Sequence, residues 1–218
     1  MMAQHAFPEP AAIAVLPAMP QPSVADETNH RVANSLQLLA AMVSVEARRV
    51  ADPIAVAALD TTMRRILAIG GVHRQLYQSG TAASVDLRAY LGELGAELER
   101  GCADAGRRVH VAADTINASP DAATAIGVIV SELVGNACKY AYAPGMPGDV
   151  EVVLRKMPFG GYRLEVSDRG RGMPADRISQ GSGLGRQLIA MMAKRLGGRH
   201  DWTNTQPGTR FTLHVGGC

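Results

Sequence analysis

Two long stretches of helical apolar spacing, broken only at Asp52-Pro53, constrain the N-terminal part of this chain more than any other feature. Proline lacks an amide hydrogen and suits the first position of a helix, so the pair reads as the end of one helix and the start of the next. The first is expected from about Asp26 to Val50, with Asp26 or Thr28 near its cap. The second runs from Pro53 to about Ser79, with Leu59, Met63, Ile66, Ile69, Leu76 and Tyr77 as its apolar set. A short connection makes the two antiparallel. Two helices alone bury too little apolar surface, so a second copy completing a four-helix bundle is expected, which makes the chain a homodimer.

After Ser79-Gly80-Thr81 the pattern changes. Val85-Asp86-Leu87 leads into a helix ending near Gly101, Val109 to Ala113 alternates as a strand, and Asp121 to Ala141 is strongly helical. Val150 to Lys156 and Tyr162 to Ser167 read as strands joined at Phe159-Gly160-Gly161. A helix from Gly185 to Leu196 and a strand from Arg210 to Val215 follow. The expected fold class is therefore α+β, a helical hairpin followed by a sandwich with helices on one sheet face. The boundaries are a tail over 1–25, the hairpin over 26–80 and the second domain over 81–218.

Among 218 residues, 47% are hydrophobic and 19% charged, enough for a real core, and a net charge of +2 with mixed signs offers no stripe for nucleic acid. Cys102, Cys138 and Cys218 are too few and too scattered for a disulfide framework or a zinc knuckle. An odd count suits a reducing compartment, so the cytoplasm is expected. No apolar run approaches the ~20 residues of a membrane span, and no membrane insertion is expected. Pro8, Pro10, Pro17, Pro20 and Pro22 interrupt the N-terminus, which reads as a flexible tail without a leader peptide or a sensor.

Four places carry candidate chemistry. On the first helix, at ~100° per residue, Val32, Leu36, Leu39 and Val43 fall opposite His30, so the imidazole faces water with Glu27, Asn34 and Gln37 on its side. A neutral imidazole is a nitrogen nucleophile near neutral pH, and Glu27 is placed to take or orient its proton. On the helix over 121–141, Glu132, Asn136, Lys139 and Tyr140 share a face away from the apolar stripe, a set suited to a magnesium-bound polyphosphate. Asp168 ends a strand before Gly170 and Gly172, where a carboxylate can accept from the exocyclic amine of adenine. Finally, Gly181-Ser182-Gly183-Leu184-Gly185 opens a helix whose first amides would face an anion.

Taken together and in this order, the pieces over about 26–215 closely resemble the histidine kinases of two-component signalling. Glu27 to Gln37 is similar to the phosphoacceptor box of the His-Arg-x-x-Asn subfamily, HisKA_2, which is related to the HWE kinases. Ser131 to Ala137 with Lys139-Tyr140-Ala141 resembles the N box, Asp168 to Met173 the first glycine box, and Gly181 to Gly185 the second. The resemblance implies a Bergerat-type (GHKL) ATP-binding domain using ATP and Mg2+. It implies that His30 is phosphorylated and that Asn136 binds the metal. Lys139 would contact phosphate, Asp168 would read adenine, and the second glycine loop would line the phosphates. Glu132 would position groups at the metal. The implied partner is a response-regulator receiver domain. With no sensor read in the tail, either a separate sensor protein delivers the signal or the kinase is constitutive.

Two departures stand out. Arg31 occupies the place where commoner histidine kinases carry an acid, which leaves Glu27 as the substitute base. The lid segment over 174–180 has no phenylalanine. Two rivals share parts of this pattern: a phosphotransfer protein with a vestigial nucleotide domain, and an anti-sigma-factor-type serine kinase, which would lack the hairpin. The ATP domain is expected to swing onto the hairpin about Ser79 to Thr81.

Overall fold

The structure, a computed structural model, describes residues 24–79, 84–102, 106–173 and 183–217. The expected tail up to residue 23, the Gly80-Thr81 part of the hinge, the lid and Gly181 lie outside the described residues.

The hairpin forms where the apolar spacing placed it. Helix α1 spans Val24–Ala47 and α2 spans Pro53–Ser79, the latter opened by Asp52, whose carboxylate accepts from the Ile54 amide at 2.9 Å. The packed seam on α1 overlaps the expected stripe: Val32, Leu36 and Val43 are half-buried, and the most buried residues are Ala33 and Ala40 beside them. Small side chains let α2 approach closely, with Gly70 of α2 lying against the Leu36 side chain. Leu39, expected to be covered, is 48% exposed, and Leu38, Met42 and Val45 stand open beside it. One neighbouring helix covers only one seam, and the flank carrying Leu38, Leu39, Met42 and Val45 is left bare.

The second half of α2 is buried elsewhere. Ala68, Val72 and Leu76 belong to the same hydrophobic core as the sheet domain, and the buried Tyr90 hydroxyl donates to the Ala68 carbonyl at 2.8 Å. Tyr90 sits on α3 (Leu87–Gly101), which Asp86 caps by accepting from the Arg88 amide. Just before it, β1 (Val85–Asp86) pairs with β3 (Asn117–Ala118) as a small ladder that the sequence reading had not separated out.

The main sheet has five strands in the order β2-β4-β5-β7-β6, with β2 (Arg107–Ala113), β4 (Gly148–Lys156), β5 (Tyr162–Asp168), β6 (Arg199–Asn204) and β7 (Thr209–Val215). Only β2 and β4 run parallel; the other neighbours are antiparallel. Val150, Val152, Leu154, Leu164, Val166, Phe211 and Leu213 form its buried face, on which α3, α4 (Pro120–Asn136) and α5 (Leu184–Arg195) lie. Strand β6 escaped the sequence reading because an edge strand has little apolar alternation to show. Only its Trp202 is half-buried, packed edge-on against Phe211 at 5.0 Å. Helix α4 is long and apolar enough, with the turn that follows it, to cross a membrane, but it is the buried core helix here.

Two expectations are corrected. The α-helix does not run unbroken to Ala141: after Asn136 it widens into a π-helical turn, Ala137–Ala141. And Cys102 and Cys138, two of three cysteines expected to form no disulfide framework, are joined in a disulfide with Cα atoms 6.2 Å apart, tying the end of α3 to that turn. Their partnership is made by packing, and nothing in a spacing of 36 residues announces it.

Candidate functional site

His30 is exposed on α1, as its phase requires. The Asn34 amide nitrogen, one turn on, lies 3.3 Å from Nε2 and 3.5 Å from Nδ1, placed to donate to whichever ring nitrogen bears the lone pair. Tyr77 of α2 packs on the ring with centroids 4.7 Å apart, and one turn away His73 Nδ1 meets Asn29 Oδ1 at 3.1 Å. From sequence Tyr77 stands only as part of the apolar set of α2 and His73 is not singled out, because their contacts with the site cross the hairpin. Glu27 does not turn to the imidazole. Its carboxylate accepts from Arg31 at 2.5 Å, the favourable i, i+4 pairing of an exposed helix face.

The four residues expected on one open face of α4 have different surroundings. Glu132 is buried, only 5% exposed, and accepts from Arg65 Nε of α2 at 2.7 Å. Arg64 lies beside it against Gly135, and its pKa is lowered by burial, opposed by the Glu132 charge. Asn136, at the end of α4, is exposed. Lys139, carried by the π turn, donates to the Ala57 carbonyl of α2 at 3.1 Å, and its pKa is lowered by burial and then by Arg64. Tyr140 stands half exposed. The face is polar as expected but only half open: α2 covers Glu132 and Lys139 and leaves Asn136 and Tyr140 exposed.

Three segments converge on α4. The Asp168 carboxylate ends β5 and accepts from the Gly170 amide at 2.8 Å. Burial raises its pKa, against backbone hydrogen bonds from Gly170 and Thr209 that lower it. Gly170 presses against the Ala141 carbonyl, leaving no room for a side chain, while the Arg171 amide donates to that carbonyl at 2.8 Å. Gly172 takes φ +73° and lies against Asn204 of β6, whose amide closes two hydrogen bonds with the Met173 backbone, each 2.9 Å. Asn204 went unnoticed because its strand did. From the other side, Gly183 (φ +66°) starts α5, and a Cβ on Gly185 would stand 2.9 Å from Glu132 Oε2. Leu184, between them, is 53% exposed. Among the described residues no hydrogen bond or ion pair joins His30 to this cluster.

The donor set suits a phosphate-bearing purine. Asp168 offers an acceptor beside two glycines, and Gly185 at the start of α5 lies against the Glu132 carboxylate of α4. No group of three or more His, Cys, Asp or Glu that could hold a metal occurs among the described residues. An exposed amide oxygen at Asn136 fits a hard cation that arrives with phosphate and water ligands of its own.

Comparison with known proteins agrees. A family model described as histidine kinase, HisKA_2, matches residues 27–101, and a model for histidine kinase-, DNA gyrase B- and HSP90-like ATPases matches 121–216. Blue-light-activated histidine kinase 2 of Erythrobacter litoralis is 28% identical over 87% of this chain and 56% of its own length. The sensor histidine kinase PdtaS of Mycobacterium tuberculosis is 28% identical over 75% of this chain and 33% of its own. The chain thus spans between a third and just over half the length of these curated relatives. The histidine kinase domain of the Erythrobacter litoralis EL346 blue-light activated kinase superposes with a TM-score of 0.68 at 24% identity, over 88% of this chain and 92% of that one, a likeness of fold. With one family model on the hairpin and another on the sheet domain, the chain belongs to the histidine kinases of the HisKA_2 type.

Proposed function

We propose that this chain transfers the γ-phosphoryl group of ATP to a ring nitrogen of His30 and passes it on to an aspartate of a response-regulator receiver domain. The observation that carries the reading is the contact of the Asp168 turn with the π turn that continues α4, and of the α5 start with Glu132 one turn before Asn136, in a chain whose hairpin exposes His30. In the proposed arrangement the hairpin spans 26–80 and the catalytic domain 81–218. Mg2+, when bound, would neutralise phosphate charge, with Asn136 as its protein ligand.

The protein's own groups act by position and charge. Asp168 accepts from the adenine amine, while Gly170 and Gly172 let the backbone approach the base. Gly181, Gly183, Leu184 and Gly185 line the phosphates, with Tyr140 at their edge. Lys139 reaches a phosphate once it releases the Ala57 carbonyl, and Glu132 reaches the metal's shell once Arg65 withdraws, so α2 has to shift. Residues 79–81 are the proposed hinge. Asn34 orients the imidazole; as the N–P bond forms and ADP departs, the ring proton goes to Glu27 after it parts from Arg31. The bare Leu38, Leu39, Met42 and Val45 face supports homodimerisation. A separate sensor protein and a cytoplasmic setting complete the proposal.

Purified chain incubated with γ-labelled ATP is expected to gain an acid-labile label that His30→Gln abolishes. Label retained by His30→Gln, or stable to acid, would overturn the reading.

A further inference from the structure

The turn that carries Asp168 is held by three consecutive backbone amides, each with its own acceptor. Gly170 donates to the Asp168 carboxylate at 2.8 Å and Arg171 to the Ala141 carbonyl at 2.8 Å. Arg169, between Asp168 and Gly170, donates at 3.0 Å to the phenolic oxygen of Tyr142. Of these acceptors only the Tyr142 hydroxyl is a side-chain group outside the turn itself.

That hydroxyl is itself fixed. It donates to the Asp149 carbonyl at 2.5 Å, so it bridges the start of β4 and the turn after β5. Tyr142 follows the π turn directly in extended backbone, and Gly148 gives its ring room, since a Cβ there would lie 2.5 Å from Cζ and both Cε atoms. The Arg107 guanidinium stands 4.8 Å from the ring centroid. Arg107 is 4% exposed and gives a hydrogen bond to the Ala143 carbonyl, while its Nε and one Nη have no hydrogen-bonding partner among the described residues. A buried cation with so little else to bind leans on the aromatic face and keeps the ring in place.

We infer that Tyr142 is a positioning residue for purine recognition: its hydroxyl sets the Asp168 turn and thereby the affinity for an adenine-type base over one that presents a carbonyl at the same place. The inference rests on the proposed role of Asp168. It follows from direction as well as distance. A carboxylate discriminates an exocyclic amine from a carbonyl only when its oxygens are held in place, and losing the Arg169 anchor frees the backbone next to it.

The test compares Tyr142→Phe, Asp168→Asn and the double variant with the wild-type full chain. Readouts are KM and kcat for ATP, displacement of a fluorescent nucleotide by ATP and by GTP, and thermal melting. Phenylalanine keeps the ring and removes one hydroxyl. Losing one hydrogen bond corresponds to about a fivefold rise in KM for ATP, with kcat within about twofold and a narrower ATP-over-GTP preference. In the double variant the hydroxyl's loss adds nothing, because the carboxylate it positions is gone. Unchanged KM and base preference in Tyr142→Phe, while Asp168→Asn loses ATP, overturns the inference and leaves the Asp168 reading standing. Asp168→Asn with undiminished ATP affinity overturns that reading, and the inference with it. A Tyr142→Phe protein that melts early and loses kcat and KM together marks a merely structural tyrosine; so does an equal loss with and without Asp168. Either result overturns the inference.

Discussion

Arg65, on the second hairpin helix, donates from Nε to the buried carboxylate of Glu132 at 2.7 Å, and so joins the hairpin to α4. Breaking one side of such a pair leaves a charge without compensation in a poorly solvated place. Arg65→Met is expected to cost about 3 kcal/mol in urea unfolding, the lower end for a buried pair because Arg64 supplies a second positive charge nearby. Arg65→Met with Glu132→Met should recover most of it. A single variant as stable as wild type would show that the pair contributes nothing.

At Asp168 the proposed role in binding adenine comes at a cost in stability. Burial raises its pKa, so the folded state favours the protonated acid. Its stabilising contribution is full below the unfolded pKa and is lost as pH rises through the folded one. At pH 7.5 Asp168→Asn is therefore expected to melt higher than wild type while binding ATP about tenfold more weakly, a loss of about 1.4 kcal/mol. Melting curves at pH 4 and pH 7.5 check the sign, since the gain should shrink at the lower pH.

His73 reports the hairpin contact through pH. Its pKa is lowered by burial, and its Nδ1 faces Asn29 Oδ1 at 3.1 Å, where a neutral ring donates. A depressed histidine contributes stability that is whole above its unfolded pKa of about 6.5 and falls as pH drops through the folded value. Urea midpoints should decline from pH 7.5 to 5.5, and His73→Gln should flatten that decline. An identical slope in the variant would assign the decline to other groups.

The Cys102–Cys138 bridge spans 36 residues of sequence. Chain entropy for a loop of that size is worth about 4 kcal/mol, which for a domain of this length corresponds to a melting temperature lower by about 10 °C when the bridge is absent. Because Cys138 sits between Asn136 and Lys139, reduction should also weaken nucleotide binding. Mass spectrometry without reductant, then melting of Cys138→Ser with and without reductant, tests both statements. A wild-type melt insensitive to reductant would refute the first.

Much of the architecture was legible because it depends on local periodicity. The hairpin break at Asp52-Pro53, the strands over 150–156, 162–167 and 210–215, and the phase of His30 all agree with the structure to within a few residues. Apolar alternation and helical spacing record which face is buried, and they do so wherever one face is covered and the other is wet. Strand β6 lacks that record, being an edge with mostly exposed side chains.

What only the tertiary structure decided are the partners of polar and sulfur groups. From sequence Glu132 shares a face with Asn136; in the fold it belongs to Arg65, 67 residues away. Glu27 was nominated for His30 and is held by Arg31, while Asn34 and Tyr77 take the imidazole. Cys102 meets Cys138 through the packing of α3 on the π turn, and Tyr142 meets Arg169 only because β4 and β5 pair beside it. Residue type sets what a group can bind, and helical phase narrows the direction it faces. Which partner arrives there depends on how helices and strands pack, and a one-dimensional pattern does not carry that geometry.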